Sequence, residues 1–365
     1  MRVALFSNAH SASAGGGVLV MIGWAHVLRM IGEVDLLFAS EVSARGLSEF
    51  CGVDLTGVSV GKARRRRWLG IEQVVSERAY DVVVRQSITV PRPTFCRRGV
   101  LFTDFPMQTE VTWRERQYLK SYSVVVANSH FTSEWVARRW GRSAVVINPP
   151  ILQVASRTKK PWIVAVGRFS SGKRSKHQLE MVTYFRRLLD GGLTGWELHL
   201  CGGGDDPAYL AEVRKAADGL PVRIHAGVPR QELDETLGHA SIFWHATGIN
   251  FSEQENPELM EHFGMSAAEA MAAGCVPVVV GRGGLKEVVG PDLLGWTWQS
   301  WDECLQKTRA LIDNPELRAS LAEKASRQAE NFGFPKFQQR VCQLVRELTS
   351  RPKHTEQVIR ASLAR

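Results

Sequence analysis

The run Ala267-Ala-Glu-Ala-Met-Ala-Ala-Gly274, followed at once by Cys-Val-Pro-Val-Val-Val280 and then Gly-Arg-Gly-Gly284, constrains the fold more than any other part of the chain. An alanine-rich stretch closed by glycine reads as a short helix with Gly274 at its C-terminus. Val276 to Val280 is apolar without alternation, the pattern of a strand buried on both faces, as parallel strands are. A glycine loop at the carboxyl end of such a strand lies where open α/β sheets bind ligands.

The remaining chain repeats this logic in two halves. Strands are expected at 2–7, 34–39, 81–85, 99–103 and 122–127, with helices at 17–31 and 130–140, forming a first α/β domain over residues 1–155. Asn148-Pro-Pro150 and the polar Ser156-Arg-Thr-Lys-Lys160 read as a linker. Strands at 162–166, 197–201, 222–225, 241–244 and 276–280 then alternate with helices near 176–190, 208–217, 230–238 and 266–273, a second α/β domain over 156–340. A charged helical tail closes the chain at 341–365.

The residues before the alanine-rich helix carry the chemistry. Gly264 breaks the chain and Ser266 is placed to cap the helix, so the amides around Gly264, Met265 and Ser266 are expected to lack intrahelical partners and to suit a phosphate. Glu261 falls in the preceding loop and Glu269 in the expected first turn. Two carboxylates so placed can grip different parts of one ligand, and both a ribose diol and a sugar hydroxyl suit a carboxylate acceptor. A lone glutamate in a first turn also does no more than complement the helix dipole; its setting favours the site.

With these residues in view, the block from Trp244-His-Ala-Thr-Gly248 through Pro257-Glu-Leu-Met-Glu-His-Phe-Gly264 to Gly283-Gly-Leu-Lys-Glu-Val-Val289 resembles the donor half-site of retaining glycosyltransferases of the GT-B fold, family 4. The resemblance implies two Rossmann-like, doubly wound domains facing a cleft, with the C-terminal tail crossing back to the first. It implies that Glu269 binds the nucleotide ribose and Glu261 the donor sugar. In the basic loop after the 162–166 strand it matches Arg168 to an arginine that stabilises the leaving diphosphate, and either Lys173 or Lys176 to the lysine, with Lys176 preferred by helix register. Gly16 and Gly17, after the first strand, match a glycine pair facing the diphosphate. Asp104, in Phe102-Thr-Asp-Phe-Pro106, stands where many such enzymes have histidine; it either orients an acceptor hydroxyl or caps the turn before Pro106. His245 reads as a structural strand-end histidine.

The implied activity is transfer of a hexose from a GDP-, UDP- or ADP-sugar co-substrate to a hydroxyl of a glycan or lipid-linked acceptor. Mannose is the favoured hexose, because the Glu-His-Phe-Gly form recurs in mannosyltransferases of this kind. No cofactor is implied, and without an Asp-x-Asp motif no metal is expected. The alternative is a scaffold subunit that binds a sugar nucleotide without turning it over. Six cysteines without C-x-x-C spacing argue against a zinc site or a disulfide framework.

The opening residues are too short for a signal peptide and no run is long enough to span a membrane, so a cytoplasmic protein is expected, peripheral at the inner membrane face. Nucleic acid is not an expected partner, since the arginines lack interleaved aromatic platforms. Net charge is +9, and Arg64-Arg-Arg-Arg67, beside Trp68, suits an anionic membrane or a phosphate-bearing acceptor. Replacing Arg64 to Arg67 by serine is expected to abolish co-sedimentation with anionic liposomes; sedimentation equal to that of the native chain would remove the membrane contact.

Overall fold

The computed structural model describes residues 1–7, 15–63, 76–204 and 206–350; Arg64 to Arg67 lie outside them. The described chain forms two compact units, one of Met1–Pro150 with the chain after Gly333, the other Ile151–Gly333. Each is an α/β layer structure around a parallel sheet.

In the first unit the strands are β1 (Arg2–Ser7), β2 (Glu33–Phe38), β3 (Val58–Lys62), β4 (Val82–Gln86), β5 (Gly99–Thr103), β6 (Val124–Ala127) and β7 (Ala144–Val146), ordered β3-β2-β1-β4-β5-β6-β7 and all parallel. The helices are α1 (Gly15–Leu28), α2 (Ala44–Cys51), α3 (Trp113–Lys120) and α4 (His130–Trp140). The sheet order reverses between β1 and β4, which makes their carboxyl ends the crevice of a doubly wound fold. Elements α2, β3, α3 and β7 were not expected. Each is short, and the three residues of β7 hold too little pattern to stand out without the β6 edge they pair with.

Helix α1 is apolar on nearly every side, and Val20, Met21, Ile22, Trp24, Ala25, Val27 and Leu28 are all buried. Such a helix needs cover beyond the sheet. The cover is α12 (Phe334–Ser350), whose Phe337, Val341, Leu344, Val345 and Leu348 recur at helical spacing and join the same core. Trp24 and Phe337 meet edge to face at 6.3 Å, Arg340 donates to Asn148 Oδ1 at 2.6 Å, and Arg98 Nε donates to the Leu348 carbonyl at 2.9 Å. This helix thus belongs to the first unit by burial, beginning at Phe334 where the tail was expected from 341; residues 351–365 lie outside the described chain.

The second unit orders its strands β10 (Val222–Ala226), β9 (Glu197–Gly202), β8 (Trp162–Val166), β11 (Ile242–His245) and β12 (Val276–Val279), again all parallel, with the reversal between β8 and β11. Its helices are α5 (Gln178–Asp190), α6 (Pro207–Ala217), α7 (Arg230–His239), α8 (Met265–Ala272), α9 (Leu285–Val289), α10 (Trp301–Asp313) and α11 (Pro315–Ala329). The stretch Ser156–Lys160 is pinned to this unit. The amides of Arg157 and Lys160 donate to the carbonyls of Gly238 and His239, and Lys159 Nζ donates to those of Gly238, Ala240 and Ala273 at 3.0, 2.8 and 2.6 Å. One ammonium therefore closes the C-termini of both α7 and α8.

Phe337→Ala removes a ring that is 2% exposed and is expected to cost the first unit about 3–5 kcal/mol. Amide hydrogen exchange should show protection falling in α1 and its sheet while β8 to β12 keep theirs; uniform loss, or none, would contradict the packing described.

Candidate functional site

Helix α8 begins one residue before expectation. Gly264 is its N-cap, with φ 111 and no side-chain cap bond, so Ser266 lies inside the first turn and does not cap, and Glu269 falls past the first turn. The glycine is required twice over: its φ lies in the region L side chains avoid, and a Cβ there would sit 2.7 Å from Leu285 Cδ2. The loop after β12 presses on the segment in front. Gly284 N donates to Glu261 O at 2.8 Å, while a Cβ on Gly283 or Gly284 would fall 2.4 Å from Glu261 O or 2.3 Å from His262 O. The glycines expected to approach a ligand thus act here by letting two backbone segments close, which fixes the path of Glu261.

Glu261 is the centre of the cluster. Lys176 Nζ donates to its Oε2 at 2.6 Å, and His245 Nε2 faces the same oxygen at 3.2 Å. The Thr247 amide donates to His245 Nδ1 at 3.4 Å, which assigns the ring proton to Nε2. Burial pushes the Glu261 carboxyl upward, but the Lys176 ammonium and His245 outweigh it and hold the group well below the usual carboxylate range. Burial lowers His245, which is therefore neutral near pH 7, and lowers the neighbouring His262 to about 4. Lys176, at the end of the basic loop, and His245, at the end of β11, both stand at the carboxyl edge where the sheet order reverses.

The basic loop is held from its rear. Gln178 Nε2 donates to the carbonyls of Gly167 and Arg168 at 3.0 and 3.1 Å, and Ser171 donates to Asp206 Oδ2 through both its amide and its hydroxyl, at 3.2 and 2.6 Å. Lys176 is the lysine brought to Glu261; Lys173 and Arg168 lie exposed on the same loop. Glu269 is buried on α8, where Arg230 Nη1 lies 3.1 Å from both of its oxygens. Burial raises the Glu269 carboxyl against the opposing pull of Arg230.

The first unit carries a second polar cluster at its own reversal point. Ser7 Oγ, ending β1, donates to Gln86 Oε1 at 2.8 Å; Gln86 Nε2, ending β4, donates to Asp104 Oδ2 at 2.8 Å and to Gly17 O at 3.2 Å. A Cβ on Gly17 would meet Gln86 Nε2 at 2.8 Å and Asp104 Oδ2 at 3.1 Å, so α1 starts hard against that carboxyl. Gly16 is exposed beside it. Burial, only partly offset by Gln86, raises Asp104 to about 6.

The sequence reading set His245 aside as structural and passed over Arg230, Gln86 and Lys159. His245 had a signal, its place at a strand end before a glycine turn. The others show nothing locally, because their partners are 18 to 114 residues away. Among the described residues no group of histidines, cysteines and acids could hold a metal ion, and no helix is long and apolar enough to cross a membrane. Cys96, Cys201, Cys275 and Cys304 are free and buried, and Cys342 is free and half-buried.

Residues 151–328 match the model of the family described as glycosyl transferases group 1. Among curated proteins the chain is 29% identical over 171 residues to a GDP-mannose:cellobiosyl-diphosphopolyprenol alpha-mannosyltransferase of Komagataeibacter xylinus, covering 44% of this chain and 39% of that one. It is 26% identical over 242 residues to the human GDP-Man:Man(3)GlcNAc(2)-PP-Dol alpha-1,2-mannosyltransferase, covering 59% and 46%. The chain thus spans less than half the length of these relatives. A glycosyltransferase from Rickettsia africae superimposes with a TM-score of 0.73 at 14% identity, covering 96% of this chain and 99% of that one. HepE of Anabaena, solved with UDP and glucose, gives 0.69 at 15%, covering 96% and 100%. With its parallel sheets of seven and five strands, the chain has a GT-B-type fold.

Asp104 supplies a pH signature. Its carboxyl titrates at about 6 when folded against 3.8 for the free group, so its contribution to stability is complete below about pH 4 and is lost as pH rises through about 6. Asp104→Asn is expected to flatten that part of the melting profile and to stabilise the chain at pH 8 by roughly 1–3 kcal/mol. An unchanged dependence between pH 4 and 7 would show that Asp104 is not desolvated as described.

Proposed function

We propose that the chain is a retaining, metal-independent hexosyltransferase, moving a sugar from a nucleotide diphosphate to a hydroxyl of a glycan or lipid-linked acceptor. The observation that carries this reading is the 2.6 Å contact of Lys176 with Glu261. It joins two segments 85 residues apart at the carboxyl edge of the β8/β11 reversal, next to the open amides of α8. An acid for a sugar hydroxyl, a cation for a departing diphosphate and a helix N-terminus for its phosphates are what such a transfer needs in one place.

In this reading Glu261, kept ionised by Lys176 and His245, accepts from hydroxyls of the donor sugar. Arg168 and Lys176, with the amides of Gly264, Met265 and Ser266, take the charge that builds on the diphosphate, with Lys173 adding to the field of the loop. Glu269 accepts from the ribose. Gly16 and Gly17 allow the backbone close to the diphosphate, and Asp104 orients the acceptor hydroxyl. The acceptor oxygen bonds to the anomeric carbon on the face from which the diphosphate leaves, the carbon–oxygen bond to the diphosphate breaks, and the hydroxyl proton passes to a diphosphate oxygen. A mannosyl donor is favoured by the Glu261-His-Phe-Gly264 form and by the GDP-mannose named in the matched relatives.

Nucleoside diphosphate release is measured from GDP-, UDP- and ADP-sugars with polyprenyl-linked and free glycan acceptors, for the native chain, Glu261→Ala and Lys176→Ala. Release from one donor, reduced at least about 100-fold in both variants, is the expected outcome. Near-normal turnover in either variant would sink the assignment, and donor binding without release by any acceptor would favour the scaffold reading.

A further inference from the structure

Arg230 opens α7 directly after Pro229, in the turn that leaves β10. Its guanidinium is divided three ways. Nε donates to Asp234 Oδ1 at 2.8 Å, one turn along the same helix; Nη1 lies 3.1 Å from both Glu269 oxygens; Nη2 is buried with no hydrogen-bond partner. Guanidinium–carboxylate pairs frequently close fork to fork, two nitrogens on two oxygens. Here one nitrogen straddles both oxygens and another is left over, and an unsatisfied buried donor is costly unless something arrives to accept from it.

Glu269 is incompletely used as well. It accepts from Arg230 Nη1, whereas an ionised carboxylate offers about four acceptor sites. A spare acceptor and a spare donor on paired side chains form the complement of a vicinal diol, whose hydroxyl hydrogens go to the carboxylate while a hydroxyl oxygen takes the N–H. The pair stands after β10 and on the helix whose N-terminus faces the β8/β11 reversal.

We propose that Arg230 is a positioning and specificity residue for the ribose of the nucleotide donor: Nη1 sets the orientation in which Glu269 accepts from the diol, and Nη2 donates to a diol oxygen. This rests on the sugar-nucleotide reading above. Asp234 holds the guanidinium through Nε, leaving the Nη2 hydrogens to the ligand. Glu269 thereby reads the ribose as a diol, and a 2′-deoxyribose leaves Nη2 and one carboxylate site unsatisfied.

The test titrates GDP, UDP and ADP into the native chain by calorimetry, then the best of them against its 2′-deoxy analogue, and repeats this with Arg230→Lys and Arg230→Met alongside steady-state transfer. The native chain is expected to prefer the ribonucleotide by about tenfold or more. Arg230→Met should raise KM for the donor by roughly 10- to 100-fold with kcat within about threefold, and bring the ribo-to-deoxy ratio toward one. Arg230→Lys keeps a cation beside Glu269, guards against a folding defect and restores part of the affinity, but not the ribose preference. A folded Arg230→Lys chain with native KM and native ribo preference overturns the role of Arg230 and leaves the donor reading standing. A native chain that binds none of the three nucleotides overturns both.

Discussion

The second unit's carboxyl edge is organised by one ion pair, Lys176 with Glu261. Both side chains are about three-quarters buried, at 25% and 22% exposed, so neither charge is well served by water and each depends on the other. The contact ties the loop after β8 to the segment before α8, and His245, which ends β11, brings a third side chain to the same oxygen. Removing either partner would strand a charge in a half-dry place. In the proposed reaction that half-dry place is an advantage: an ammonium already drawn out of water needs little reorganisation to meet the charge on a departing diphosphate.

The two units put polar side chains at the same point of the same sheet order, and their carboxyls titrate in opposite directions. Glu261 faces an ammonium and stays ionised far below the usual range. Asp104 faces the neutral amide of Gln86, and burial raises it to about 6. The difference lies in the partner, since burial acts upward on both. A carboxylate fixed in charge suits holding a ligand, and one that titrates close to neutrality suits handling a proton or orienting a hydroxyl.

What holds the site is largely distinct from what would touch a ligand. Helix α8 is anchored at its start by Gly264 and by the approach of Gly283 and Gly284 to residues 261 and 262. Its end is anchored by Lys159, whose Nζ donates to three carbonyls; partial desolvation of that ammonium lowers its pKa. The helix is clamped at both ends, so the open amides of its first turn are kept in place by residues remote from them.

The chain order of its local patterns determined a good deal. The alternation of buried strands and helices announced two α/β units, whose double winding only the family resemblance implied; Phe337, Val341, Leu344 and Leu348 lie at helical spacing, and Glu261, Gly264, Glu269 and the basic loop stood out because helix starts and glycine turns obey rules a few residues long. Local reading erred where a neighbouring segment decides: Ser266 looked like a cap, but Gly264, at φ 111, takes the N-cap position and α8 starts one residue sooner, and Ser156–Lys160 looked like a linker, but α7 and α8 offer it their open carbonyls. Which lysine meets Glu261, that His245 joins it, that Arg230 straddles Glu269 and that Gln86 rather than a cation faces Asp104 were decided by the tertiary structure alone. The reason is physical: these are contacts between side chains 16 to 85 residues apart or brought together by sheet order, and no local propensity encodes which distant partner will arrive.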